Sequence, residues 1–224
     1  GVTIQKSPEP AFCRSGVFLC KSCQSCGIIT VWLPRTGAAA NRKGELYERY
    51  DGRLPGGSCG FDEATRDFYT GNMSKQEYKG ISGGFGSYSE KGGQKGMIRL
   101  RMTAGRVTKE KLAFVVETAE RLNIELLKLT TCETIQLHHL TGRQILDVAA
   151  KALDAGIVCR GGGGDHPRNV MAPPLSGVLP GESFDVIPYA EMTADYLLSL
   201  LYHIHMPRKL KVGFANHESN TAHV

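Results

Sequence analysis

Apolar and basic residues alternate over positions 97–102, with Ile98, Leu100 and Met102 on one side and Arg99 and Arg101 on the other. A period of two marks a strand buried on one face. Thr108 then heads a helical stretch, with Lys111 where a capping box would carry Glu; Leu112, Val115, Val116, Ala119 and Leu122 form its apolar stripe, and Asn123 ends it. Residues 124–129 read as a second strand. Residues 134–140 read as a third, in which Ile135, Leu137 and His139 alternate with Thr134, Gln136 and His138. Thr141 caps another helix whose Ile145, Val148, Ala149 and Ala152 face inward, Gly156 closes it, and residues 157–159 form a fourth strand.

The order β-α-β-β-α-β predicts an α+β chain built on a ferredoxin-like half-domain over residues 97–160. Before it, residues 61–96 hold a lead-in helix near positions 62–69, with Phe61, Phe68 and Tyr69 on its apolar side and Gly71-Asn72 as its stop. Ser74 caps a short turn. The glycine-rich stretch 81–90 lacks the spacing and the following helix of a phosphate loop. After the half-domain, residues 161–224 begin a second unit that contains a helix over 189–205, with Met192, Tyr196, Leu197, Leu200 and Leu201 as its apolar side.

Residues 1–60 read as a leader or linker. Cys13, Cys20, Cys23 and Cys26 lie close enough in sequence for their thiolates to hold zinc or an iron–sulfur cluster, although no fourth cysteine before proline and no second pair completes a known pattern. The rival reading is a leader with incidental thiols.

The four glycines at 161–164 remove every Cβ and let another group approach the backbone closely. Arg168-Asn169 follows, then the extended Pro173-Pro174, and farther on Pro207-Arg208-Lys209-Leu210-Lys211. With the Arg99–Arg101 strand and the threonine-rich segment, these stretches describe a basic cavity for a ligand of high negative charge. Lys209 and Lys211, two apart on a strand, point to one side.

Composition sets bounds on this picture. The 224 residues, 41% apolar, suffice for one sizeable core, and the net charge of +5 without a long basic run leaves the charge local. No apolar run reaches the roughly 18 residues of a spanning helix, so a membrane protein is not expected. Seven cysteines without a secretory signal point to reduced thiols and a cytoplasmic location. The absence of an initiating methionine and of a closing element suggests a fragment.

Taken in order, the Met-Ile-Arg-Leu-Arg strand, the Leu-Thr-Thr-x-x-Thr-Ile-Gln-Leu-His segment, the Arg-Asn-Val turn and the Pro-Arg-Lys-Leu-Lys strand resemble the N-terminal half of nitrite/sulfite reductases, over residues 60–224. The resemblance implies a sirohaem- and [4Fe-4S]-dependent, six-electron reductase of sulfite or nitrite, in which the half-domain precedes an α/β sirohaem-binding domain. Electrons would come from ferredoxin or a reductase subunit. It places Arg101, Arg168, Lys209 and Lys211 at the substrate anion, and Arg99, Arg101, Thr131, Thr134, Gln136, His138, Arg168, Asn169 and Arg208 at the cofactor.

The cluster ligands would lie C-terminal to this chain, which alone would be inactive. Cys132 stands where the family has an arginine, Glu133 where it has glutamine, and Thr103-Ala104-Gly105 where it has Pro-Gly-Gly. Two other readings are a non-catalytic sirohaem binder and a ferredoxin-like RNA- or anion-binding module. Nucleic acid is disfavoured because the strands carry Arg, Thr and Gln in place of stacking aromatics. No pair among His138, His139, His166, His203, His205, His217 and His223 has the spacing of a zinc peptidase.

Overall fold

A computed structural model of the protein describes residues 58–201, 204 and 206–218, with the backbone of two short antiparallel strands, β1 (Phe18–Leu19) and β2 (Val31–Trp32). The leader cysteines Cys13, Cys20, Cys23 and Cys26 fall outside the described residues, as do His203, His205 and His223.

Helix α1 (Ser58–Thr70) and the short α2 (Lys75–Ser82) lead in. Ser74 closes a complete capping box on α2: its hydroxyl accepts from the Glu77 amide, and the Glu77 carboxylate accepts from the Ser74 amide. Strands β3 (Ser87–Ser89), β4 (Gly96–Arg101), β5 (Leu127–Leu129) and β6 (Thr134–Leu140) form an antiparallel sheet in the order β3-β4-β6-β5. Between them run α3 (Lys109–Leu122) and α4 (Gly142–Asp154). Ile98, Leu100, Leu137, Ile145 and Val148, all fully buried, make the core between sheet and helices. This is the expected α+β ferredoxin-like half-domain.

Four details depart from the sequence pattern. Residues 157–159 form no regular strand. The Val158 carbonyl accepts from the Arg101 amide at the end of β4, but β3 already occupies the rest of that edge, where Ser87 pairs with Ile98 and the Gly86 carbonyl accepts from the Arg99 amide. Second, His139 does not share the inward face of Ile135 and Leu137. It adopts φ 60° at an irregularity where the register slips from Ile98↔Leu137 to Gly96↔Leu140, so Leu140 turns inward instead.

Third, α3 buries Val115 and Thr118, with Phe114 and Leu122 packed beside them, while Leu112 and Val116 of the expected stripe stay 52% and 46% exposed. The helix has rolled onto a face that carries a threonine. Fourth, helix α5 (Ile187–Leu200) buries Ala190, Thr193, Ala194 and Leu198 and leaves Met192 and Tyr196 about half exposed. Small residues let this helix lie close on strand β7 (Pro167–Met171), which pairs in parallel with β8 (Leu210–Gly213). β7, α5 and β8 make one β-α-β crossover around Val170, Val186 and Val212, and Ala104 from the turn after β4 plugs into that core.

The glycine run is filled by protein. Gly161–Gly164 packs against the other glycine-rich turn, Gly83–Gly86: the Gly161 amide donates to the Gly84 carbonyl at 2.8 Å and the Gly164 amide to the Tyr88 hydroxyl at 2.8 Å. A Cβ on Gly163 would meet the Gly83 carbonyl and the Tyr88 ring, and one on Gly86 would sit 2.9 Å from the Cys159 carbonyl. Two backbones approach here because the positions that face each other are glycines. Gly163→Ala is therefore expected to destabilise the protein by about 1–3 kcal/mol, the usual cost of overpacking, read as a lowered midpoint in urea unfolding.

Candidate anion site

The open face of β4 carries Arg99 and Arg101, and the interlocked glycine turns and β7 close over it. Two residues apart on one face, the arginines reach different depths. Arg101 is 3% exposed, and its guanidinium donates to the Arg160 carbonyl at 2.9 Å and the Arg168 carbonyl at 3.1 Å. It ties β4 to the segment entering β7 and lines none of the cavities described.

Arg99 remains half-buried. Its Nη1 donates to the Gly162 carbonyl at 3.0 Å, and its guanidinium lies 5.2 Å from the Tyr88 ring centroid. Arg168 returns from β7 to the same turn, donating to the Gly162 and Gly164 carbonyls, each at 2.7 Å. Burial, with the nearby Arg168 charge, pulls Arg99 below the ordinary arginine range, opposed by Tyr88 and Cys132. Two cations are thus held close to one another.

Both arginines, with Lys209 and Lys211 from the β8 strand and its approach, line one cavity of about 310 Å³. Thr134, Gln136, Asn169 and Cys132 complete the walls. Asn169 is 2% exposed; its amide nitrogen donates to the carbonyls of Met102, Cys132 and Glu133 at 2.8–3.0 Å, so it fixes the threonine-rich turn against β7, while its side-chain oxygen has no protein donor. Thr130 and Thr134 hydroxyls bond each other at 2.8 Å and hold the turn closed.

The other expected residues divide. Thr131 is exposed on the turn and lines none of the cavities described, whereas its neighbour Thr130 does line this one. His138 is engaged with Glu90 at 2.7 Å and with Gln136 at 3.1 Å, and reaches the cavity only through Gln136. Arg208 borders a second, wider hollow of about 860 Å³, together with Lys79, Arg160 and His166; Arg168, Lys209 and Tyr88 are shared between the two, so the basic surface is continuous. Tyr88 and Glu90 were missed as site residues. Their signal is weak in sequence, because both sit in a glycine-rich stretch whose function depends on folding back over β4.

Cys159 is buried beside the core, and burial pushes its thiol up to about 12, which leaves it inert. Among the described residues no group of three or more His, Cys, Asp or Glu side chains is placed to hold a metal, and no helix of the described residues is long and apolar enough to cross a membrane.

Beyond the turn, Glu133 sits at φ 53° and its carboxylate accepts from the Ala172 amide at 3.2 Å. Burial raises it to about 7, with the Ala172 hydrogen bond opposing. Because its folded value exceeds its unfolded one, the folded state binds the extra proton, and stability is greatest at low pH and falls as pH rises from the ordinary carboxylate range through about 7. Glu133→Gln keeps an acceptor for Ala172 and cannot ionise. Thermal midpoints measured against pH should therefore flatten over that window in the variant.

Residues 88–155 match the family model of the nitrite/sulfite reductase ferredoxin-like half domain. That match runs from β3 to the end of α4, and the fold over those residues is the ferredoxin-like one. Among solved structures it is similar to the Mycobacterium tuberculosis NirA protein, with a TM-score of 0.56 and 18% identity over 77% of this chain and 34% of that one. The likeness at that identity is one of fold, and this chain spans about a third of the length of its neighbour. No curated protein matches the sequence.

Proposed function

We propose that the chain forms the N-terminal part of a sirohaem- and [4Fe-4S]-dependent reductase of sulfite or nitrite, and that the Arg99–Arg168–Lys209–Lys211 cavity takes the anionic groups of that reaction. The observation that carries this reading is the convergence of four cations, from β4, β7 and the approach to and body of β8, on one small cavity. Two guanidiniums confined side by side oppose each other, and an anion placed between them relieves both that repulsion and part of their desolvation.

The donor set fits a carboxylate or a small oxyanion. A cavity of about 310 Å³ is too small for a whole tetrapyrrole, so sirohaem would present its carboxylates here and to the adjoining basic hollow, with Arg168 and Lys209 on the shared wall and Arg208 beyond. When bound, sirohaem and the cluster supply the electrons. The protein's own part is to hold the anion, with Arg99 and Arg168 fixed by glycine carbonyls and therefore pre-aimed. Lys209 and Lys211, both exposed, are the groups placed to give protons as oxygen departs. Cluster ligands would come from sequence beyond this chain, and electrons from a ferredoxin or reductase subunit in the cytoplasm.

Titrating the protein with sirohaem while following its Soret band tests this. A saturable spectral change that weakens with salt is expected; a spectrum unaltered by the protein would contradict the reading.

A further inference from the structure

Gln136 is an amide on the cavity wall whose orientation is held by a histidine, where Asn169 is held by backbone carbonyls. On the side away from the cavity, His138 Nε2 lies 3.1 Å from Gln136 Oε1, and His138 Nδ1 lies 2.7 Å from the Glu90 carboxylate. Glu90 also accepts from the His139 amide at 3.4 Å, His139 Nε2 stands 3.8 Å from its other oxygen, and the Glu90 carbonyl accepts from Lys75. The carboxylate is thereby held on His138, whose side chain is 12% exposed.

We propose that Glu90 and His138 act as positioning residues that decide which end of the Gln136 amide faces the anion cavity. This rests on the reading of that cavity as an anion site. The argument is one of donors and acceptors. With both ring nitrogens protonated, His138 gives one N–H to Glu90 and the other to Gln136 Oε1, and the Gln136 NH2 group is left facing the cavity as a donor. With a single proton, retained on Nδ1 by the carboxylate, Nε2 becomes an acceptor. Gln136 must then reverse, offering its NH2 to the ring and turning its carbonyl oxygen toward the cavity. An oxygen facing an oxyanion opposes binding where an N–H favoured it.

Gln136 Oε1 faces the ring, so the arrangement with an N–H on His138 Nε2 is the one these atoms match. A half-turn of one amide therefore couples a histidine outside the cavity to the cavity's preference for anions, beyond what the histidine's charge does at a distance. The charged groups around His138 are Glu90 and His139, with Lys75 and Tyr69 beyond Glu90 and the cavity cations beyond Gln136.

Sulfate is the probe, because its charge is constant across the range. Calorimetric titration of the whole chain is compared at about pH 5.5 and about pH 8.5, either side of the ordinary histidine range. The wild type is expected to bind about tenfold more weakly at the higher pH, the scale of one hydrogen bond to a charged group. Gln136→Leu keeps the His138 ring but has no amide to turn, so its affinity should change far less between the two pH values; His138→Phe should behave likewise. An undiminished pH dependence in Gln136→Leu would mean that charge alone, on the imidazole or on the neighbouring Glu133, sets the preference, and would overturn the inference. Equal wild-type affinity at both pH values would overturn it too while leaving the anion site intact. No sulfate binding at either pH would overturn the anion site itself.

Discussion

Replacing Arg101 with methionine is expected to lower the thermal midpoint by roughly 10 °C, because the change strips donors from the buried Arg160 and Arg168 carbonyls at the junction of β4 and β7. Two opposing terms decide the size. Each orphaned carbonyl and each lost charge-assisted bond costs about 1–3 kcal/mol, while the variant no longer buries a guanidinium, which recovers part of the loss. The net should be about 3 kcal/mol. The test is differential scanning calorimetry beside Arg99→Met, whose half-buried side chain gives up one such bond to Gly162 and should lose less. An Arg101 variant as stable as wild type would mean that residue is not the tie between the two units.

The second large effect concerns binding alone. Lys209 and Lys211 are exposed, and among the described residues no hydrogen bond or ion pair ties them to the fold, so Lys209→Ala with Lys211→Ala should leave the thermal midpoint within a degree or so while weakening sulfite binding by about 100-fold at low salt. Each ammonium then accounts for about tenfold, a discounted figure for charges that water also reaches. Isothermal titration at rising ionic strength checks the origin: the gap between wild type and variant should narrow as salt screens the cavity. A double variant that binds as well as wild type would assign the lysines to a solvated strand edge.

These two outcomes separate residues that the sequence presents as equivalent. Arg99 and Arg101 share a strand face, and the alternation around them was enough to find the strand and its basic side. What alternation cannot show is depth: carbonyls of the Arg160–Arg168 segment, about sixty residues away in sequence, descend on Arg101 and consume it, while Arg99 stays at the rim. The β-α-β-β-α part of the order was legible because caps and periodicity agree with tertiary structure, as at Thr108, Asn123 and Thr141, whereas the last expected strand, 157–159, yields its edge to β3.

Helix faces were less legible. On α5 the large residues Met192 and Tyr196 look like the core side, yet close packing on β7 selects the smaller Ala190 and Ala194, and size at an interface is set by the distance between elements. The four glycines at 161–164 announced a close approach correctly but not its partner. That partner, Gly83–Gly86, also turns bare glycines toward the contact, and nothing in either stretch alone names the other. The corner around Cys132 shows the reverse case: a position that periodicity treats as ordinary stands on the cavity wall, where a thiol leaves the cation count at four.

The most direct test is a nitrogen-detected NMR titration of the Arg and Lys side chains with sulfite. Arg99, Arg168, Lys209 and Lys211 should shift together along one saturating curve, with Arg101 following weakly through the backbone it holds. Four unrelated curves, or drifts that never saturate, would show that these charges do not share a ligand.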